Sequence, residues 1–204
     1  QRTVVDALAE AVKASGVPHV VLLSSWGAEL PEGTGPIVGL HHAENALRAT
    51  GTTLSSLRAG MFMENLAGMI GAARHQGILP NFQREDLALP LIATVDIGAA
   101  VAEALLNAPA AHEVVYVLGA TEYKPADMAA SIGQLLGKHV QLVTIPVEGI
   151  VGALAQAGVP ASISSLYQEM YTTLNAGRMG IEPGHRTHLG RTTLDEALKP
   201  YASA

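Results

Sequence analysis

No cysteine occurs anywhere in this sequence, so disulfides, thiol nucleophiles and cysteine metal sites are excluded. Charge is scarce as well: charged residues make up 15% of the 204, and the formal net charge is −6. Binding a phosphate backbone needs a basic face, so no nucleic-acid partner is expected. No apolar run is long enough to span a bilayer and nothing resembles a signal peptide. No membrane partner is therefore expected, and the expected compartment is the cytoplasm. Three motifs are missing too. No G-x-G-x-x-G follows a strand, no Walker loop is found, and Leu22 and Leu23 occupy the positions where the hydrolase elbow G-x-S-x-G needs glycine.

What is present suits a folded domain. Hydrophobic residues reach 49% with 21 glycines, enough for one substantial core or one domain with a smaller appendage. In QRTVVDALAEAVKASG, Val4, Val5, Leu8 and Val12 share a helical face, and Gly16 with Pro18 stops the helix. HVVLLSS (19–25) is an apolar run of the kind covered by helices on both faces. After a Gly- and Pro-rich loop, Thr34 can cap a helix that carries Pro36 in its first turn and ends at Gly51. TTLSSLRA (52–59) reads as a strand, 62–75 as a helix and 76–92 mostly as loop. A further helix starts near Asp96, whose carboxylate can cap its amides. HEVVYVLG and VQLVTIP read as strands on either side of the helix KPADMAASIGQLLG. Residues 147–178 look helical with a break at Gly158–Pro160, followed by a polar loop and a last short helix near Thr193–Leu198. This alternation predicts right-handed βαβ units and a mostly parallel sheet.

Ligands of such sheets sit beyond the carboxyl ends of the strands, where SSWG and RAGMFMEN fall. Ser24 and Ser25 either satisfy backbone groups at a strand end or touch a ligand. Trp26, the only tryptophan, suits either a site wall or a loop anchor. Met61, Phe62 and Met63, followed by Glu64 and Asn65, suit core packing or a pocket wall with a polar end. Gly68 and Gly71 lie in a predicted helix and are read as permitting close packing. His41 with Glu44, and His185 with His188, each supply only two ligands, so no metal site is expected.

HVVLLSSWGA, GLHHAENALRATG and LSSLRAGMFMENLAG together resemble the NmrA-like family, atypical relatives of the short-chain dehydrogenases/reductases. Arg58, Phe62, Met63, Glu64 and Asn65 match the family's R-P-x-F-x-M-E-N, with Ala59 in place of proline, and Asp96 matches its V-x-D segment. EYKPADMAASIGQLLGKHVQLVTIP and RTTLDEAL resemble the family's small substrate-side domain and C-terminal helix. The resemblance implies an α/β fold: the C-terminal half of a doubly wound parallel, Rossmann-type sheet over 1–120, and a small α+β substrate-side domain mainly within 121–204. Family members begin with β-α-β-α-β and a G-x-x-G-x-x-G loop, roughly 70 residues at about 30 per βαβ unit. The resemblance thus implies an upstream segment lacking here and an unpaired apolar edge on strand 19–25, and with it self-association or pairing with that segment.

The resemblance also implies NADP or NAD as cofactor. Ser24, Ser25 and the turn Ala59, Gly60 and Met61 would border the nicotinamide, while Trp26, Phe62, Met63 and Asn65 would border a small-molecule acceptor. Catalytic relatives use Tyr-x-x-x-Lys, but alignment on Glu44 puts Pro36 and Leu40 at that pair. His41 is the nearest titratable substitute. Two expectations follow: an NAD(P)H-dependent reductase of a small electron-poor acceptor such as a quinone or dye, or a non-catalytic NAD(P)-binding redox sensor.

Overall fold

The run HVVLLSS forms the first strand of a four-stranded parallel sheet in the computed structural model, which describes residues 2–202. In chain order the elements are α1 (Arg2–Ser15), β1 (His19–Ser25), α2 (Val38–Arg48), β2 (Thr53–Ala59), α3 (Ile70–Gln76), β3 (Ile78–Asn81), β4 (Leu89–Pro90) and α4 (Thr94–Leu106). There follow β5 (Glu113–Gly119), β6 (Glu122–Tyr123), α5 (Pro125–Leu136), β7 (Gln141–Thr144), α6 (Ile150–Gln156), α7 (Ala161–Asn175), β8 (Arg186–Gly190) and α8 (Leu194–Ala202). Among the described residues no helix is long and apolar enough to cross a membrane.

The main sheet runs β1-β2-β5-β8, with every pairing parallel. Side chains alternate between its faces. Leu57, Ala59, Val115 and Val117 pack against Ile97, Ala100 and Ala104 of α4. Each fully buried leucine of this kind contributes roughly 1.5–3 kcal/mol over an exposed one. On the opposite face α2 packs against β1 and β2.

The apolar edge expected of the first strand is present: β1 is outermost and Leu23 is 41% exposed. α1 contributes no buried residue, leaving Val4 and Leu8 exposed. It packs on α2, where His42 Nε2 lies 2.6 Å from Asp6.

Several local expectations need correction. The polar loop before the last helix contains β8, which pairs with β5 from Val115↔Arg186 to Gly119↔Gly190. Its sequence RTHLG carries no apolar run, since Gly190 is its one buried residue. The expected loop 76–92 contains β3 and β4, too short and Pro-containing to stand out. Residues 63–69 form a tight 3-10 segment before α3, so the expected helix starts later. Gly68 and Gly71 face open space and permit no close packing. Thr34 precedes a 3-10 turn at 35–37 and makes no capping bond; its hydroxyl is buried without a partner.

A second core lies between α5, α8 and the 63–69 segment, where Met63, Leu66, Leu79, Met128, Ile132 and Leu198 meet. β3 and β7 pair in parallel at its side. β8 returns from this late stretch to the main sheet, so the chain's second part completes the first.

Candidate functional site

Parallel register fixes the site's polar centre. Ser24 pairs with Arg58 and Arg58 with Tyr116, so three side chains from β1, β2 and β5 stand in one row on the face toward α2. Arg58 is only 5% exposed. Its Nε and Nη2 donate to the two carboxylate oxygens of Glu44 on α2, at 3.0 and 2.8 Å. This two-pronged geometry suits the planar guanidinium. Ser24 Oγ donates to the same carboxylate at 2.6 Å.

The remaining guanidinium edge is shared. Arg58 Nη1 donates to Glu182 at 2.5 Å and to the Tyr116 hydroxyl at 3.3 Å, and lies 3.8 Å from Glu29. Burial by itself would lower the arginine pKa. The hydrogen bonds and charge of Glu44, with Tyr116 and Glu182, outweigh it and hold the group above the ordinary arginine value. Arg58 is therefore a permanent cation facing three carboxylates.

Above this row the strand ends are tied by backbone. Trp26 N donates to Ala59 O at 2.8 Å, Gly60 N to Val117 O at 3.0 Å, and Ile92 N to Met61 O at 2.9 Å. Gly60 and Gly119 sit against the passing chain so closely that a Cβ would lie 2.1 Å from Pro90 O and 2.0 Å from Leu91 O respectively. Ser24, Ser25, Ala59, Gly60 and Met61 are thus brought together at the ends of β1 and β2. Ser25 Oγ donates to Trp26 O.

Residues 176–185, between α7 and β8, cross over these ends. Trp26 Nε1 donates to Gly180 O at 2.9 Å, Gly180 N to Glu29 at 3.3 Å, and Glu182 N to the Tyr116 hydroxyl at 3.0 Å. The Met179 methyl occupies the place a Cβ on Gly27 would take.

The other expected residues are placed as follows. Phe62 is half-buried beside Ile92 at the end of β2, while Asn65 is exposed. Met63 is 1% exposed in the second core, which puts it behind any acceptor wall. His41 Nδ1 is 2.8 Å from Ala28 O and its Nε2 3.0 Å from Asn45 Nδ2. With both nitrogens engaged it pins the loop after β1 to α2. His185 lies by Glu182, and His188 by Glu103.

The cap expected of Asp96 comes from Glu64 instead. Glu64 accepts from Thr94 N and Oγ1 and so caps α4; Asp96 accepts instead from Thr192 N, tying α4 to the chain after β8. Glu64→Ala is expected to cost about 1 kcal/mol, the usual worth of a cap, read as a lower urea midpoint. Glu64→Gln should recover part of it, and an unchanged midpoint for the alanine variant would remove the capping role.

Tyr116, Glu29 and Glu182 are absent from the sequence-based site. Tyr116 carries one usable signal: a tyrosine in an otherwise apolar strand covered on both faces needs a hydrogen-bond partner. The two glutamates lie in loops far apart in the chain and carry none.

Comparison with known proteins gives a consistent set. The model of the NmrA-like family matches residues 3–196. An NAD(P)H azoreductase of Xenophilus azovorans is 26% identical over 174 residues, which cover 81% of this chain and 57% of that protein. The chain thus spans little more than half of that relative's length. Solved structures that share the fold include two reductases complexed with a nicotinamide dinucleotide. An NADPH-dependent quinone oxidoreductase of Escherichia coli, complexed with NADPH, superposes with a TM-score of 0.74 at 21% identity, covering 96% of this chain and 70% of its own. A triphenylmethane reductase of Citrobacter sp., complexed with NADP(H), gives 0.77 at 18%, covering 97% and 70%.

Proposed function

The chain belongs to the NmrA-like family, and from that membership we propose that it acts as an NAD(P)H-dependent reductase of a small electron-poor acceptor, a quinone or a dye. The observation that carries this reading is the meeting of Ser24, Ser25 and the Ala59–Met61 turn at the ends of two adjacent parallel strands. That is where an open α/β sheet binds its ligand. The likeness to an azoreductase supports the choice of acceptor.

The strand ends fit the nicotinamide end of the dinucleotide. They offer hydroxyls, backbone groups and the half-buried Trp26 beside an apolar floor. The pyrophosphate end finds no glycine-rich loop between a strand and a helix in this sequence. When bound, the dinucleotide supplies a hydride.

The residues of this chain then bind and orient. Ser24, Ser25, Ala59, Gly60 and Met61 border the nicotinamide side. Trp26, Phe62 and Asn65 border the acceptor side, with Met63 supporting them from the core. The two-pronged pair of Arg58 with Glu44 fixes Ser24 and the end of β2. A quinone that gains a hydride here takes its proton from water and leaves as the hydroquinone. Pro36 and Leu40 are read as occupying the places of the Tyr–Lys pair, so catalysis rests on the proximity of nicotinamide and acceptor. His41 is held by Ala28 and Asn45 and serves to position the loop.

The test is oxidation of NADPH or NADH by menadione, followed by loss of nicotinamide absorbance alongside quenching of Trp26. Turnover with quenching is the expected result. Quenching without turnover would favour the redox-sensing alternative, and neither response would sink both readings.

A further inference from the structure

We infer that residues 176–185 form a latched strap over the strand ends, which must lift before an acceptor reaches them; the inference rests on the reductase reading above. The strap carries no regular secondary structure and is bracketed by Gly177 and Gly184, both in the left-handed region at φ 67° and 87°. No atom lies within 4 Å of where a Cβ would stand on either glycine, and only glycine adopts this backbone region without strain.

The strap is held down by few contacts, most of them polar. Glu182 meets Arg58 through its carboxylate and Tyr116 through its amide, Gly180 meets Trp26 and Glu29, and Met179 covers Gly27. Its apolar anchor is Met179, packed against the second core, and Arg178 at its start donates to Thr173 of α7 at 2.8 Å. Beyond them Ile181 is 51% exposed and the Glu182 side chain 46%, so the 180–184 stretch is the part that can lift. The strap fills the space above the ends of β1 and β2. The grooves described in the surface lie elsewhere. One of about 610 Å³ runs between α5 and β7, and one of about 190 Å³ lies by Lys13 and Thr50, at the opposite end of the sheet.

The charge arrangement lets the latch open. Removing one partner from a buried ion pair normally strands the other charge. Arg58 escapes this, because Glu44 already holds two of its nitrogens and Glu29 lies 3.8 Å away. Glu182 is the third carboxylate on one cation, and the only one of the three that is substantially exposed. Its departure leaves the guanidinium paired. Opening would free the Trp26 indole N–H, the Tyr116 hydroxyl and the Arg58 edge together, which are the polar groups an entering acceptor would meet.

A closed resting form lowers apparent affinity by the fraction of molecules that are open. Glu182→Ala removes the latch from an exposed loop residue. Amide exchange at Gly180 and at position 182 should accelerate about tenfold, the change produced by losing roughly 1.4 kcal/mol of protection. Acrylamide quenching of Trp26 should rise, and KM for menadione should fall about three- to tenfold. Acrylamide is the right quencher because, unlike iodide, it is not repelled by the surrounding carboxylates. Glu182→Gln keeps a hydrogen-bond acceptor and should move each readout less.

Unchanged exchange and quenching in Glu182→Ala would overturn the latch. A loosened strap with KM unchanged or raised would overturn its gating role. Failure of the wild-type protein to turn over would remove the reductase reading alone, since exchange and quenching judge the latch without turnover.

Discussion

Replacing Arg58 with alanine should destabilise the protein by about 3–5 kcal/mol, the cost of leaving a buried charge without its partner. Glu44 would keep only the hydroxyl of Ser24 as a donor among the contacts described above. The loss is a large share of the roughly 5–15 kcal/mol available to a domain. It should appear as a sharply lower urea midpoint. The double variant Arg58→Met with Glu44→Leu should be less damaged than the single one, because the most deeply buried carboxylate leaves together with its partner, while Glu29 keeps the amides of Gly27 and Gly180. A single-variant loss below about 1 kcal/mol would show that water reaches Glu44 and that the pair is not buried in solution.

Gly60→Ala should be comparably severe for a steric reason. Its Cβ would lie 2.1 Å from the carbonyl oxygen of Pro90, a backbone atom that cannot rotate away. Either the end of β2 or the 90–92 segment must move, at a cost on the order of 3 kcal/mol. The same displacement would shift the Met61–Ile92 hydrogen bond and the residues that border the nicotinamide. Gly68→Ala is the matched control. It faces open space and should change stability by less than about 1 kcal/mol, in either direction. Thermal midpoints of the two variants decide the matter, and equal midpoints would refute the close approach.

The strands that carry the site are legible because each is a short run with apolar residues, free of Pro and bounded by turn residues. HVVLLSS, TTLSSLRA and HEVVYVLG all declare themselves, and the ends of the first two point to Ser24, Ser25 and Ala59–Met61. β8 is illegible because only Gly190 of RTHLG is buried, so the strand carries no apolar run. The Arg58–Glu44 pair is half legible. Both residues stand in recognisable motifs, but beside His41 the spacing of Glu44 suggests a metal ligand before an arginine partner. What the residues alone do not disclose is parallel register, which places Ser24, Arg58 and Tyr116 in one row. Glu29 and Glu182 depend on loops arriving from far along the chain, and no local pattern encodes that arrival. Glu64 and Asp96 mislead for a simpler reason: a cap need not come from the helix it caps.

The return of β8 to the main sheet bears on how this chain assembles. β5 must wait for a strand that follows β6, β7 and three helices, since Val115 pairs with Arg186. Closing so long a loop costs entropy before the ladder gives any return. Pairings of this range slow folding. Until that step, β5 presents an open edge, and intermediates with unpaired edges are the ones that aggregate. Between the emergence of β5 and the arrival of β8 the sheet thus has a second open edge besides that of β1, which stays outermost.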